Sequence, residues 1–325
     1  MKVGFIGLGN VGGKLAGSLL RNGFDLTVRD LNAEAARPFI DRGAVGLVRA
    51  RAIAEMCVMG GTCRAWPAAS ARVIGAEHGS LARLSGGMKC AERSTTGGAA
   101  VNVFGAMVRE AGADPVDWPV SGWCHRAATG NISILAGADR DVFDRLLPVL
   151  KSLGRRVLHT GPLGSASVLK VVTNYLATAN LVTLCEALVT AKAAGMDLNA
   201  AYEAIRISSG NSFVHETESQ VILNGSRDIN FTMDLVLKDV GLFQEVANRA
   251  GVPLEVSPLL IDIFKDGAAR FGEREWSPNI IKRLEEATGL DITAPGFPAE
   301  MLDDEPEEPG YEVIPKGSGQ GGGEA

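Results

Sequence analysis

The chain has 325 residues, 46% of them hydrophobic and 22% charged, enough for about two domains at roughly 150 residues each and ordinary for a protein that buries a core. Its net charge of −6 is local: residues 300–325 hold eight acids (Glu300, Asp303, Asp304, Glu305, Glu307, Glu308, Glu312 and Glu324) against one base, Lys316, so residues 1–299 carry 31 bases and 30 acids. A nearly neutral body with 6% aromatics offers neither the field nor the stacking platforms that nucleic acid needs, and disorder is excluded for most of the length.

The first apolar run, Lys2–Ile6, reads as a strand and leads directly into Gly7-Leu8-Gly9-Asn10-Val11-Gly12, which opens a helical pattern through Leu20. In that context the glycines describe a dinucleotide-binding loop. Gly7 permits the tight turn, Gly9 admits a pyrophosphate close to the backbone, and Gly12 lets helix and strand pack, with the phosphate at the helix N-terminus. A Walker phosphate loop is excluded because position 8 is leucine and Lys14 is followed by Leu15. A second strand, Asp25–Arg29, ends at Asp30, eighteen residues beyond Gly12. An acid there accepts hydrogen bonds from ribose hydroxyls and repels a 2′-phosphate, which favours NAD over NADP, with Arg29 as the opposing feature.

Residues 46–92 break the pattern. In Cys57-Val58-Met59-Gly60-Gly61-Thr62-Cys63 the paired glycines are poor material for a central buried strand. Residues 47–93 also hold seven bases and three acids. Two accounts stand: real divergence, or a pair of compensating reading-frame errors, which resequencing of the coding DNA distinguishes.

Further strands are expected at Pro115–Val120, Ile132–Ala136 and Arg156–His159, and their alternation with helical stretches implies a doubly wound, mostly parallel Rossmann sheet. From Ser165 the texture becomes all-α: one long helix to about Gly195, then helices near 198–208, 212–224, 233–250, 255–271 and 277–288. Gly195, Gly225, Gly251 and Gly289 mark the helix stops. No strand is expected to return. After residue 292 the prolines, acids and terminal glycines read as a disordered tail.

Lys170 and Asn174 are four apart on the long helix and so share a face, in a segment otherwise uncharged from Val168 to Cys185. A lysine there either snorkels to water or is partly buried. Burial lowers its pKa toward neutrality and suits it to exchange a proton with an alcohol. The uncharged run Val171–Cys185 is too short and too polar to span a bilayer. Five cysteines without a C-x-x-C suggest reduced thiols in a cytoplasm, and four scattered histidines form no metal-site spacing.

Asp117-Trp118-Pro119-Val120-Ser121-Gly122, Gly161-Pro162-Leu163-Gly164 continuing to Lys170 and Asn174, and Lys238-Asp239, taken with the glycine loop, resemble the motifs of the β-hydroxyacid dehydrogenase family in order and spacing from residue 1 to about 290. This group contains 3-hydroxyisobutyrate dehydrogenase and tartronate semialdehyde reductase. The resemblance implies a Rossmann domain over 1–162, an all-α domain over 163–292 joined by the long helix, and a homodimer or homotetramer formed through the helical part. It implies NAD-dependent interconversion of a small β-hydroxy acid and its semialdehyde or keto acid. Ser121 and Gly122 would hold the substrate carboxylate, Lys170 would exchange the proton, Asn174 would orient the substrate, and Lys238 would face the cofactor. Thr95 matches the family's residue near the nicotinamide ribose, although a helix cap is an equal reading.

The loop departs from the family where Trp123-Cys124-His125-Arg126 replaces small residues and Gly130-Asn131 replaces Gly-Thr. Trp123 narrows the space over the substrate loop. His125 and Arg126 either meet the distal end of a more acidic substrate or lie on the surface. A 6-phosphogluconate-type activity would want a basic cluster that the sequence does not display, and Lys170 favours an alcohol over an imine substrate. The alternative from another class is a dinucleotide-binding assembly or regulatory protein that has lost turnover.

Overall fold

The computed structural model describes residues 1–47, 59–62, 89–92 and 98–317, with side chains described outside 48–100. The chain forms two compact units, one of residues 1–122, 126–169 and 305–325, the other of 123–125 and 170–304.

In the first unit, β1 (Lys2–Ile6) leads into α1 (Asn10–Arg21), β2 (Asp25–Arg29), α2 (Ala33–Ile40) and β3 (Val45–Gly46). After β4 (Met59–Thr62) and β5 (Lys89–Glu92) come α3 (Gly98–Glu110), β6 (Asp114–Asp117), β7 (Val120–Ser121), α4 (Trp123–Thr129), β8 (Ser133–Gly137), α5 (Arg140–Leu153) and β9 (Arg156–Gly161). A final strand, β10 (Tyr311–Val313), completes a sheet in the order β10-β9-β8-β6-β5-β4-β1-β2-β3, with β7 beside β8. Pairing is parallel except where β6 and β7 meet β8.

The strand order reverses at β1. The chain winds through β2 and β3 on one side and resumes with β4 on the other, so the carboxyl end of β1 is a topological switch point, where open α/β sheets bind ligands. The core is built from the inward residues Val3, Phe5, Leu26 and Val28 of the sheet against Leu15 and Leu19 of α1, and from Ile134 and Val157 against Phe143, Leu146 and Leu150 of α5. Each such fully buried side chain contributes about 1.5–3 kcal/mol over its exposed state.

β1 and β2 have the bounds their sequence predicts. The expectation against a strand at Gly60-Gly61 is corrected. Residues 59–62 form a central strand, in register with Val3–Ile6 of β1 on one side and Lys89–Glu92 of β5 on the other. Ladder partners on both edges outweigh the weak intrinsic preference of glycine for strands.

The helical unit contains α6 (Ser165–Ala193), whose first five residues belong to the sheet unit, then α7 (Leu198–Arg206), α8 (Phe213–Asn224), α9 (Met233–Ala250) and α10 (Val256–Phe271). A 3₁₀ turn at Ser277–Ile281 runs into α11 (Lys282–Thr288). The four glycines read as stops have φ of 79°, 90°, 68° and 69° in chain order, the left-handed conformation that closes a helix. Over all its 29 residues α6 is long and apolar enough to cross a membrane by length and composition, a property not evident from its uncharged run alone. Core helices share that property, and Leu181, Val182, Leu184, Cys185, Leu188 and Val189 of α6 are buried in the core of this unit with Val236, Val240 and Phe264.

The tail is the second correction. Residues 305–317 belong to the sheet unit, and β10 runs parallel to β9 with Tyr311 opposite Arg156. A Cβ at Gly310 would collide with the backbone of Lys151 and Gly154, so the chain lies directly on the end of α5. The acids have specific partners. Glu305 meets Arg126 and Arg155, Glu307 meets Arg21, Glu308 meets Arg155, and Glu312 meets Arg140.

Candidate active site

The glycine loop leaves the end of β1 with Gly7 at φ 95°, a conformation open to glycine. Asp30, at the end of β2, is drawn into this loop: its Oδ2 accepts from the Leu8 N–H at 2.6 Å and its Oδ1 from the Asn32 N–H at 2.9 Å. A carboxylate is thereby fixed beside the turn. Gly9 is the N-cap of α1, no acid occupies the helix's first turn, and a Cβ at Gly9 would meet nothing within 4 Å. Open space over backbone N–H groups at the positive end of a 12-residue helix fits a pyrophosphate. Asn10 and Val11 begin that helix, and Gly12 is buried within it. Thr95 lies outside the described residues.

A buried carboxylate sets the start of α6. Asp117, at the end of β6, accepts from the Gly164 N–H at 2.7 Å through Oδ1 and from the Ser167 N–H and hydroxyl at 2.7 and 2.8 Å through Oδ2. Burial raises its pKa, opposed by these hydrogen bonds. The helix is therefore pinned at its N-terminal turn, three residues before Lys170.

Lys170 and Asn174 emerge from α6 beside Lys238 and Asp239 of α9. Asn174 Nδ2 donates to Asp239 Oδ2 at 2.5 Å, and Lys238 Nζ lies 3.1 Å from Asp239 Oδ1. The Lys170 ammonium has no hydrogen-bond partner among the described residues. Its pKa is lowered to about 8, chiefly by burial, with Asp239 raising it and Lys238 lowering it further. Burial and Lys238, opposed by Asp239, thus bring this amine near neutrality. Asp239 was visible in the sequence only as half of the Lys238-Asp239 pair. That it orders Asn174 and tunes Lys170 follows from the packing of α9 on α6, which no local pattern encodes.

The loop after β6 places Ser121 in β7, opposite Ser133 of β8. Gly122 at φ 124° turns the chain into α4, and Trp123 follows with φ 63°, strained for a non-glycine residue. The Trp123 ring packs on Phe231 with centroids 5.8 Å apart, and its Nε1–H is buried without a partner among the described residues. His125 lies half-buried on α4. The reading of Arg126 as a distal cation for substrate is not carried, because its guanidinium donates to Glu305 Oε1 at 2.9 Å.

Comparison with known proteins agrees with this geometry. Residues 2–161 match the family model for the NAD binding domain of 6-phosphogluconate dehydrogenase, and residues 164–284 match that for the NAD-binding of NADP-dependent 3-hydroxyisobutyrate dehydrogenase. The chain is 30% identical to 2-(hydroxymethyl)glutarate dehydrogenase of Eubacterium barkeri over 294 residues, 90% of this chain and 98% of that one. It is 29% identical to an NAD-dependent L-serine dehydrogenase of Pseudomonas aeruginosa over 88% of this chain and 98% of its relative. A solved 3-hydroxyisobutyrate dehydrogenase from Salmonella typhimurium superposes with a TM-score of 0.79 at 26% identity, covering 87% of this chain and 99% of that one. A Rossmann sheet with a switch-point glycine loop, followed by a helical domain, defines a nicotinamide-dependent oxidoreductase. The chain belongs to the 3-hydroxyisobutyrate dehydrogenase-like family of hydroxyacid dehydrogenases, NAD(P)-dependent enzymes that act on CH–OH donors.

Proposed function

We propose that this enzyme interconverts a small β-hydroxy acid and its semialdehyde or keto acid, with NAD preferred over NADP and Lys170 as the proton-exchanging group. The observation that carries the reading is the half-buried Lys170, brought to a pKa of about 8 beside the Asn174–Asp239–Lys238 network. A lysine at that pKa can take a hydroxyl proton on Nζ in oxidation and return it in reduction at physiological pH. Asn174, its amide held by Asp239, offers its carbonyl oxygen and remaining N–H to orient the substrate.

Ser121 and Gly122 anchor the substrate carboxylate through hydroxyl and backbone N–H. The Trp123 indole N–H, without a partner among the described residues, suits an acceptor on the distal part of the substrate, which favours acids bearing a second polar group over purely aliphatic ones. Gly7, Gly9 and Gly12 with the first turn of α1 hold the dinucleotide, Lys238 faces it, and Asp30 takes the adenosine ribose hydroxyls. A carboxylate fixed at the loop by two backbone N–H groups repels a 2′-phosphate, which supports NAD. Bound there, the nicotinamide accepts hydride from the alcohol carbon. We place the enzyme in the cytoplasm as a homodimer or homotetramer, an assembly that light scattering of the purified protein tests.

The test is NADH absorbance with a panel of 3-hydroxy acids, with and without a second polar group, each offered with NAD and with NADP. Turnover is expected with NAD and fastest on the doubly polar acids. A pure, folded, NAD-binding protein that turns over none of them contradicts the reading and favours a dinucleotide-binding protein without catalysis.

A further inference from the structure

We propose that residues 305–313 form a strap that fixes the far end of the 121–131 loop, making Glu305 and Glu307 positioning residues for substrate binding; this rests on reading that loop as the substrate loop. Two features of the chain depart from the family, the loop residues Arg126 and Asn131 and the acidic C-terminal segment, which lies beyond residue 284 where the family model ends. In the structure they are partners. Glu305 receives Arg126 Nη2 on Oε1 at 2.9 Å, and its backbone carbonyl receives Asn131 Nδ2 at 2.9 Å. Its Oε2 lies 3.3 Å from Nη1 of Arg155, which immediately precedes β9.

Glu307 grips the same loop two residues later. Arg21 Nε donates to Glu307 Oε2 at 3.0 Å while Arg21 Nη2 donates to the carbonyl of Ala128 at 3.0 Å, so one guanidinium ties tail and loop together. Gly130, at φ 81°, leaves the space that the Glu307 side chain occupies, and a Cβ there would lie 2.8 Å from Oε1. The strap is itself anchored by β10 and by the Tyr311 N–H bonded to the Arg155 carbonyl at 2.8 Å.

Exposed ion pairs are individually weak. Here, however, Glu305 serves three partners and Arg21 and Arg155 two each, and a strand ladder sets their register, so the contacts form and break as a group. α4 is only seven residues long. Arg126 follows Trp123 by three residues in it, and its side chain lies against Gly122, where a Cβ would be 3.4 Å from Arg126 Cδ, so holding Arg126 holds the turn that carries the tryptophan proposed to meet substrate.

The test uses the full chain and the double variant Glu305→Gln/Glu307→Gln, followed by hydrogen exchange and steady-state kinetics. Exchange across 123–131 is expected to accelerate on the order of tenfold in the variant, with β1 and β2 unchanged. KM for the hydroxy acid rises severalfold while kcat and NAD affinity hold. Added salt raises KM of the unaltered protein and leaves that of the variant nearly constant, because screening acts on the pairs the variant lacks. Unchanged exchange in 123–131 overturns the strap, as does faster exchange with no change in KM. A chain ended after Asp304 gives a second reading by the same exchange measurement. Should the unaltered protein oxidise no hydroxy acid, the reaction assigned above fails, and the exchange rates still decide the strap.

Discussion

The role proposed for Lys170 concentrates the chemistry in one titration. Oxidation needs the neutral amine, so the rate of alcohol oxidation is expected to rise with pH through about 8 and then level. Reduction needs the ammonium and should fall over the same range. Asp239 raises this pKa, so Asp239→Asn moves both profiles to lower pH; a profile that stays in place contradicts the assigned coupling. A second titration belongs to stability alone. Glu218 on α8 is 2% exposed, its Oε2 has no partner among the described residues, and burial pushes its carboxyl from 4.5 up to about 8. The folded state holds this proton more tightly than the unfolded state. Glu218 therefore costs nothing below about pH 4.5, and its cost grows as pH rises toward 8. Glu218→Gln is expected to stabilise the protein by on the order of 1–3 kcal/mol at pH 8 and hardly at all near pH 4, which urea unfolding at the two pH values measures.

Among the elements, α1 and α6 carry the proposed positioning; α6 is fixed at its N-terminus, and that of α1 is open. α6 starts on the buried Asp117, which binds the helix at Gly164 and Ser167. α1 starts at Gly9, where open space receives a Cβ without collision. Gly9→Ala should leave stability within about 0.5 kcal/mol of the parent while weakening dinucleotide binding at least about tenfold by crowding the pyrophosphate. Calorimetric titration with NAD together with thermal unfolding checks this, and undiminished affinity would remove the phosphate from α1. These elements were legible in the sequence because their signals are local: an apolar run into glycines at fixed spacing, an acid at the end of β2, glycines at helix stops, and a lysine and asparagine four apart. β10 was not legible. It is three residues long and owes its place to pairing with β9 and to partners such as Arg21 and Glu307, 286 residues apart. Nor was β4, where ladders on both edges override the glycines, or the role of Asp239, which depends on α9 lying against α6.

At the scale of the molecule, the acidity that dominates the net charge is structural. Four acids of the tail spend their charge on arginines of the sheet unit, and the reaction is carried elsewhere by a nearly neutral body. Saturating NAD, at about a hundred times its dissociation constant, should stabilise that body by about 2.7 kcal/mol if it binds the folded state alone. The central claim is that one side chain, Lys170, exchanges the proton while the rest of the chain binds and orients. Single-turnover NADH formation by Lys170→Ala, measured on protein whose NAD affinity has been established by calorimetry, tests it most directly. The expected result is loss of hydride transfer by a factor of about a hundred or more with NAD affinity nearly unchanged. A variant that binds NAD and still forms NADH at the parent rate would contradict the account.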